Sequence, residues 1–378
     1  MNTVSNPQNC PKCPSLMEDY RYACNNPGCS RAGIPVEEVA PQPETGEEQT
    51  ASQNTPKGPP TCSECGEAMS LRVCPDCGFE VDAEEMRRGF LSVSILGNGG
   101  CGKSNYLAVL IDQLRGEMCK VYGCTLYPTG GDRTMNYYER EYRRPLYDQG
   151  VCVSSTLQED LNPLTYTLLF DEQVGQTSKS VGLAFYDSCG AKLENQQEMA
   201  ALGRRLYTSG GILLLVDPSQ LPTIRAARKA KNLSILPSDA QALLLRTVHL
   251  VRAGLAIGQT EMKIDIPIAV CLTKLDTLIP HLNPASFVGA PSRSLRKAML
   301  NRADVSSCNL EMMALFESWG AGEFVRHVRS QFSSFCFFGL SSLGCEPGNQ
   351  NEVARVTPHR VLDPLLWLLW QGKILRAG

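Results

Sequence analysis

FLSVSILGNGGCGKS, residues 90–104, decides the fold. The apolar run 90–96 reads as a buried strand. It ends in Gly97-Asn98-Gly99-Gly100-Cys101-Gly102-Lys103-Ser104, which fits GxxxxGK[ST] and runs straight into a helical stretch over 103–115. Strand, loop and helix stand in the order a phosphate loop requires. The glycines let backbone N–H groups curl around a phosphate without Cβ clashes, and the helix N-terminus adds positive potential. Lys103 can reach phosphate oxygens, and the Ser104 hydroxyl can ligate Mg²⁺. Cys101 sits where a helix N-terminus could lower a thiol pKa; the plainer reading is a small side chain that the loop tolerates.

Working outward, short apolar runs recur at 164–170 (LTYTLLF), 181–187 (VGLAFYD), 211–217 (GILLLVD), 266–272 (IPIAVCL) and 332–338 (FSSFCFF). Helical stretches are expected over 192–208, 239–257, 309–317 and 359–371. Near-continuous apolar runs alternating with helices predict an α/β fold, a doubly wound and mostly parallel sheet of the phosphate-loop type covered on both faces. The nearly fifty residues between the first helix and Leu164 exceed an ordinary loop and suggest a lid or a partner-binding insertion.

Three further elements lie at strand ends, where ligands of open α/β sheets bind. Asp187-Ser188-Cys189-Gly190 resembles the DxxG of GTPases, which implies that the aspartate holds the Mg²⁺ shell and the Gly190 N–H meets the terminal phosphate. Thr273-Lys274-Leu275-Asp276 matches [NT]KxD. Its carboxylate can accept two hydrogen bonds from guanine N1–H and N2–H₂, a pair that adenine does not offer, while the Lys274 stem covers the ring. Ser341-Ser342-Leu343 comes after the last strand and resembles the short SA[KL]-like loop of GTPases, which implies contact with guanine O6 through backbone N–H groups.

With these four motifs in order, residues 90–345 resemble GTPases of the TRAFAC class, the division that includes Ras and Rho proteins; the TKLD form is also used by Rho proteins. The resemblance implies GTP/GDP and Mg²⁺ as ligands and places a switch threonine ahead of the second strand. Thr156 occupies that place, with Ser104 and Asp187 as the other Mg²⁺ holders. Thr129 and Thr134 lie in the same insertion. Ras-like members carry a water-orienting glutamine after DxxG, whereas this chain has Ala191, so slow intrinsic hydrolysis is expected, with Lys103 as the surest charge stabiliser. Glu194, Gln196, Gln197, Arg204 and Arg205 come on the next helix, and its arginines read as a solvated face. More narrowly, the chain resembles bacterial double-GTPase proteins of predicted conflict or defence operons, which would imply a signalling switch. A GTP-binding scaffold with little hydrolysis and an ATP-dependent enzyme are the competing readings.

Of seventeen cysteines, eight precede residue 78. Cys10-x2-Cys13 with Cys24-x4-Cys29, and Cys62-x2-Cys65 with Cys74-x2-Cys77, read as two self-contained zinc ribbons, each a tetrahedral S₄ site, for about two zinc ions per chain. Such short segments would draw their folding free energy from the metal. The expected organisation is ribbon 1 at 1–30, a flexible Pro/Glu/Gln/Thr-rich linker at 31–60 that decouples the modules, ribbon 2 at 61–80, and a nucleotide-binding domain at 88–378.

The 378-residue chain is 43% hydrophobic and 20% charged, with a formal net charge of −3. Residues 1–80 hold five Lys and Arg against eleven Asp and Glu, which opposes phosphate contact and favours a protein effector or activator over nucleic acid. No apolar run reaches the roughly 18 residues of a membrane span, and MNTVSNPQNC lacks the form of a secretion signal, so a cytoplasmic protein is expected. The apolar 361–370 stretch reads as a packed C-terminal helix. His249, His281, His327 and His359 show no metal spacing. Oligomeric state is not legible.

Overall fold

The computed structural model describes residues 10, 13, 15, 19–36, 60–83, 86, 89–129, 132–154, 163–171, 180–187, 196–236, 239–256, 258 and 262–378. Near the N-terminus a three-stranded sheet joins β1 (Arg21–Ala23), β2 (Leu71–Val73) and β3 (Glu80–Asp82), in that order and antiparallel throughout. The register Arg21↔Val73 and Ala23↔Leu71 sets the chemistry of the module. Because the strands run oppositely, the segment before β1 lies beside the segment after β2, and the segment after β1 lies beside the segment before β2.

The cysteines obey that register. Cys10 and Cys13 gather with Cys74 and Cys77, while Cys24 and Cys29 gather with Cys62 and Cys65, each set with its sulfurs within 4.8 Å of one another. Cross-segment Sγ–Sγ distances are 3.6 Å for Cys10–Cys77, 3.5 Å for Cys13–Cys74 and 3.6 Å for Cys24–Cys65. The expectation of two self-contained ribbons, Cys10/13/24/29 and Cys62/65/74/77, is therefore corrected: all eight thiols are ligand candidates, but the pairs are exchanged across one shared sheet. Nor is the module decoupled from the α/β domain. Cys10, Tyr20, Cys74 and Val81 pack with Phe90, and Phe79 meets the Phe90 ring edge-on at 6.4 Å.

Phe90 opens β4 (Phe90–Gly97), the central strand of a seven-stranded sheet. It leads into α1 (Lys103–Gln113), which continues through a π-helical turn, Leu114–Met118, to Cys119–Tyr122. The chain then forms β5 (Cys124–Pro128), α2 (Asp132–Tyr138), a π-helical segment Glu139–Asp148, β6 (Leu164–Phe170), β7 (Ser180–Asp187), α3 (Gln196–Tyr207) and β8 (Gly211–Val216). Next come α4 (Pro222–Ala230), α5 (Ala240–Gly254), β9 (Ile268–Leu272), α6 (Arg302–Ser318), α7 (Gly322–Gln331), β10 (Phe335–Gly339) and α8 (Asp363–Gln371). The strand order is β10-β9-β8-β4-β7-β6-β5; the first five are mutually parallel, β6 runs antiparallel to β7, and β5 runs antiparallel to β6. This is the expected mostly parallel α/β sheet.

Both faces are covered, which explains the unbroken apolar runs. Along β8, Leu213 and Leu215 join the core layer that contains α1 and α8, whereas Ile212, Leu214 and Val216 join the opposite layer with α5 and α6. The C-terminal helix packs as expected, with Leu365 through Leu369 buried. Among the described residues no helix is long and apolar enough to cross a membrane. The sequence pattern does not reveal β5, α2, α4 or α7, and it places the start of α6 seven residues late. The true start is set by Asn301, whose side chain accepts from the Asp304 backbone N–H at 2.9 Å as an N-cap.

A buried ionic knot holds the C-terminal third together. Arg360 Nη1 pairs with Asp304 at 3.0 Å and Asp363 at 2.6 Å, and the guanidinium also donates to the carbonyls of Phe287 and Ala290. All three charged side chains are 2–3% exposed. Burial pushes the Asp363 carboxyl above the usual range despite the neighbouring Arg360. Asp304→Ala would take one of two carboxylates from the buried guanidinium and leave Asp363 as its remaining charged partner, so a loss of about 3 kcal/mol is expected in chemical denaturation. A loss under about 1 kcal/mol would show that the knot behaves like a surface pair.

Candidate functional site

At the C-terminal ends of the parallel strands lies a cavity of about 620 Å³. Its walls bring together residues 99–104 of the glycine loop, Thr273, Lys274 and Asp276 after β9, and Ser341, Ser342 and Leu343 after β10. These segments are far apart in sequence and meet because β4, β8, β9 and β10 are parallel neighbours.

At one end, Gly102 takes φ +94° and Gly100 φ +80°, backbone that a Cβ would strain. They turn the chain into α1, whose first turn holds no acidic residue and leaves its positive end for an anion. Gly97 answers a different need: a Cβ there would stand 3.0 Å from the Leu215 carbonyl and would also meet Cys101 Sγ. Cys101 itself is buried, which pushes its thiol up, so it packs as a small side chain. Lys103 is 8% exposed, and its Nζ donates to the Gly97 carbonyl at 2.8 Å and the Asn98 carbonyl at 3.3 Å. Asn98, nearly buried, reaches the Asp239 carbonyl at 3.4 Å.

Ser104 Oγ donates to Asp187 Oδ2 at 3.0 Å, joining the start of α1 to the end of β7. A hydroxyl and a carboxylate at this spacing form an oxygen-only donor set of the kind that suits Mg²⁺. Gly190, Ala191, Glu194 and Thr156 lie outside the described residues. Of the wall residues 152–154, Val153 N donates to Asn105 Oδ1 at 2.9 Å, and Cys152 N to the Asn351 carbonyl at 2.9 Å. Arg205 lies over the Tyr186 ring at 5.5 Å, and Arg204 is exposed.

At the other end, Lys274 adopts left-handed backbone, φ +52°, an uncommon conformation for a residue with a side chain. Its ammonium spans the site, donating to the Gly100 carbonyl at 3.1 Å and pairing with Asp217 Oδ2 at 2.7 Å. Asp217, which no sequence motif singles out, is 4% exposed and caps the turn Pro218–Gln220, accepting from Ser219 N at 2.8 Å. One signal could have found it: it is a carboxylate at the end of a parallel strand, as Asp187 is. Asp276 Oδ1 accepts a hydrogen bond from Ser341 Oγ, which in turn accepts from Gly344 N at 2.9 Å. Ser341 is fixed to the ionic knot through paired backbone bonds with His359, 3.0 and 2.8 Å. Over the outer rim, Leu236 packs against Gly100, and Arg228 of α4 meets Glu346 at 3.4 Å.

The two thiol clusters form a second kind of site, each an all-sulfur set that fits Zn²⁺. The crossed pairing has a direct consequence. Cys77→Ser should release one zinc and open Cys10, Cys13 and Cys74 to alkylation, while Cys24, Cys29, Cys62 and Cys65 stay protected. Mass spectrometry after alkylation reads this. Opening of Cys62 and Cys65 instead, with Cys10 protected, would restore the within-segment ribbons.

No family model matches the chain. It is 25% identical over 340 residues to a protein of Mycolicibacterium smegmatis provisionally named ESX-1 scaffolding and assembly protein SaeC, with 82% of this chain and 83% of the relative covered. Among solved structures it is similar to the signal recognition particle receptor SRb-GTP/SRX complex from Chaetomium thermophilum, at 16% identity, TM-score 0.31, 75% of this chain and 97% of that one. It is also similar to the Arl6 BBS3 small GTPase from Trypanosoma brucei, at 12% identity with the same TM-score and coverage. Both likenesses are loose; the fold rests on strand order and loop geometry.

Proposed function

We propose that the chain binds GTP and GDP with Mg²⁺ in the 620 Å³ cavity and acts as a slow molecular switch whose partners are proteins. The observation that carries this reading is the meeting, in one cavity, of the glycine loop with Lys103 and the carboxylate of Asp276, braced by Ser341. In this reading Lys103 and the loop N–H groups of residues 99–104 hold the phosphates. Ser104 and Asp187, with Thr156, hold Mg²⁺, which supplies charge neutralisation on the phosphate oxygens. Gly190 meets the terminal phosphate, and Ser342 and Leu343 face the base. The eight paired thiolates hold about two zinc ions and present a protein-docking module in a cytoplasmic setting.

With Ala191 at the glutamine position, multiple-turnover phosphate release from GTP should run on the order of 10⁻⁴–10⁻² s⁻¹, and ATP should not substitute. Turnover above about 1 s⁻¹ by the isolated chain would mean that another group orients water. Equal competition by ATP would leave a general phosphate-loop nucleotide binder. A second reading, a GTP-binding scaffold with little hydrolysis, draws support from the scaffolding and assembly role in the name of the mycobacterial relative. Tight GTP binding with no detectable release of phosphate would select it over a hydrolysing switch of a conflict or defence pathway.

A further inference from the structure

The insertion between α1 and β6 contains a buried phenol aimed at the Asp187 carboxylate. Tyr142 is 4% exposed, and its hydroxyl donates to Asp187 Oδ2 at 3.5 Å, the same oxygen that accepts from Ser104 Oγ at 3.0 Å. Its ring is held on two sides. Tyr138 stacks on it with centroids 6.2 Å apart and planes 14° apart, and Tyr137 meets it edge-on at 5.9 Å. Tyr138 is itself anchored, donating to the Ala108 carbonyl of α1 at 2.8 Å. The phenol is therefore aimed by packing on the phosphate-loop helix and not by a surface loop.

The backbone that delivers it is unusual. Glu139–Asp148 is π-helical and contains Pro145, which has no N–H to donate and whose ring would crowd the carbonyl four residues earlier in an α-helix. The wider π turn accommodates the proline, and such segments concentrate at functional sites. The same insertion continues into Cys152–Ser154, which wall the cavity.

We propose that Tyr142 is a positioning residue of the nucleotide site: its hydroxyl orients the Asp187 carboxylate for the Mg²⁺ shell and ties the long insertion to the metal-loaded state. The inference rests on the cavity being a Mg²⁺–guanine nucleotide site. Outer partners of metal-holding carboxylates fix their orientation, and losing one costs about 10–100-fold in metal affinity.

Release of a fluorescent GDP analogue from the full chain, followed while Mg²⁺ is titrated, tests the proposal. In wild type, Mg²⁺ should slow release. Tyr142→Phe keeps the ring and removes only the hydroxyl, so half-maximal slowing should require about tenfold more Mg²⁺, while release in EDTA stays equal to wild type. Tyr122→Phe also deletes a buried hydroxyl, one that donates to the Ser294 carbonyl at 3.0 Å and does not touch Asp187, and should leave the Mg²⁺ curve in place. In an Asp187→Asn background, adding Tyr142→Phe should change nothing further. A Tyr142→Phe curve within about twofold of wild type, a faster release in EDTA, or full additivity with Asp187→Asn would each overturn the proposal. A wild type that does not retain the GDP analogue at all would instead remove the nucleotide reading on which it stands.

Discussion

Asp276→Asn is expected to weaken GTP binding and strengthen xanthosine triphosphate binding, each by about 2–4 kcal/mol, in competition assays with labelled nucleotide. In the proposed reading the carboxylate would offer two acceptors to the two guanine donors. Exchanging one acceptor for an amide donor favours a base with oxygen at position 2, which xanthine carries. Ser341 Oγ occupies Asp276 Oδ1 and fixes the plane of the group, so the change should alter hydrogen-bond polarity more than position. A site built to pair buried polar groups rejects the wrong partner strongly, because each mismatch leaves a group unpaired. Unchanged GTP affinity in Asp276→Asn, or equal affinity of wild type for GTP and ATP, would remove TKLD from base recognition.

Lys103→Ala should cut GTP affinity about one hundredfold in calorimetry while the chain stays folded. The ammonium is nearly buried at the mouth of α1 and is held along the loop by the Gly97 and Asn98 carbonyls. Those two bonds tie it to the fold, and losing hydrogen bonds of this kind costs about 1 kcal/mol each. Circular dichroism melts should therefore show a modest shift. An affinity change below about tenfold would detach the glycine loop from phosphate binding.

Much of this site could be read from short strings. The glycine loop, TKLD and SSL are contiguous, and each depends on backbone conformation and side chains within a few residues, so a local pattern suffices. The strands β4, β7 and β8 were legible for a related reason: a strand covered on both faces must be apolar at nearly every position. The edge strand β5, CTLYP, carried no such signature because it has a neighbour on one side only and ends in proline. Helix α4 leaves a weak signal because none of its residues is fully buried and its short apolar face carries one large apolar side chain, Ile224, which packs partly buried on the core.

The residues that escaped reading are those whose role depends on a partner distant in sequence. Asp217 matters through Lys274, 57 residues on, and Tyr142 through Asp187, 45 residues on. Neither pairing has a spacing rule, since each is set by how the insertion and the parallel strands converge. The cysteines divide in the same way.

By itself the sequence determined that this is an α/β chain with a GxxxxGK[ST] loop, a TKLD string and eight cysteines in CxxC-like pairs, because each is written in neighbouring residues. Only the tertiary structure decided which cysteines share a site, that Asp217 braces Lys274, and that a tyrosine from a π-helical insertion reaches the Asp187 carboxylate. The physical reason is one of register and direction. An antiparallel pairing of β1 with β2 reverses the neighbours that chain order suggests, and a parallel sheet gathers at one end groups that the chain holds far apart.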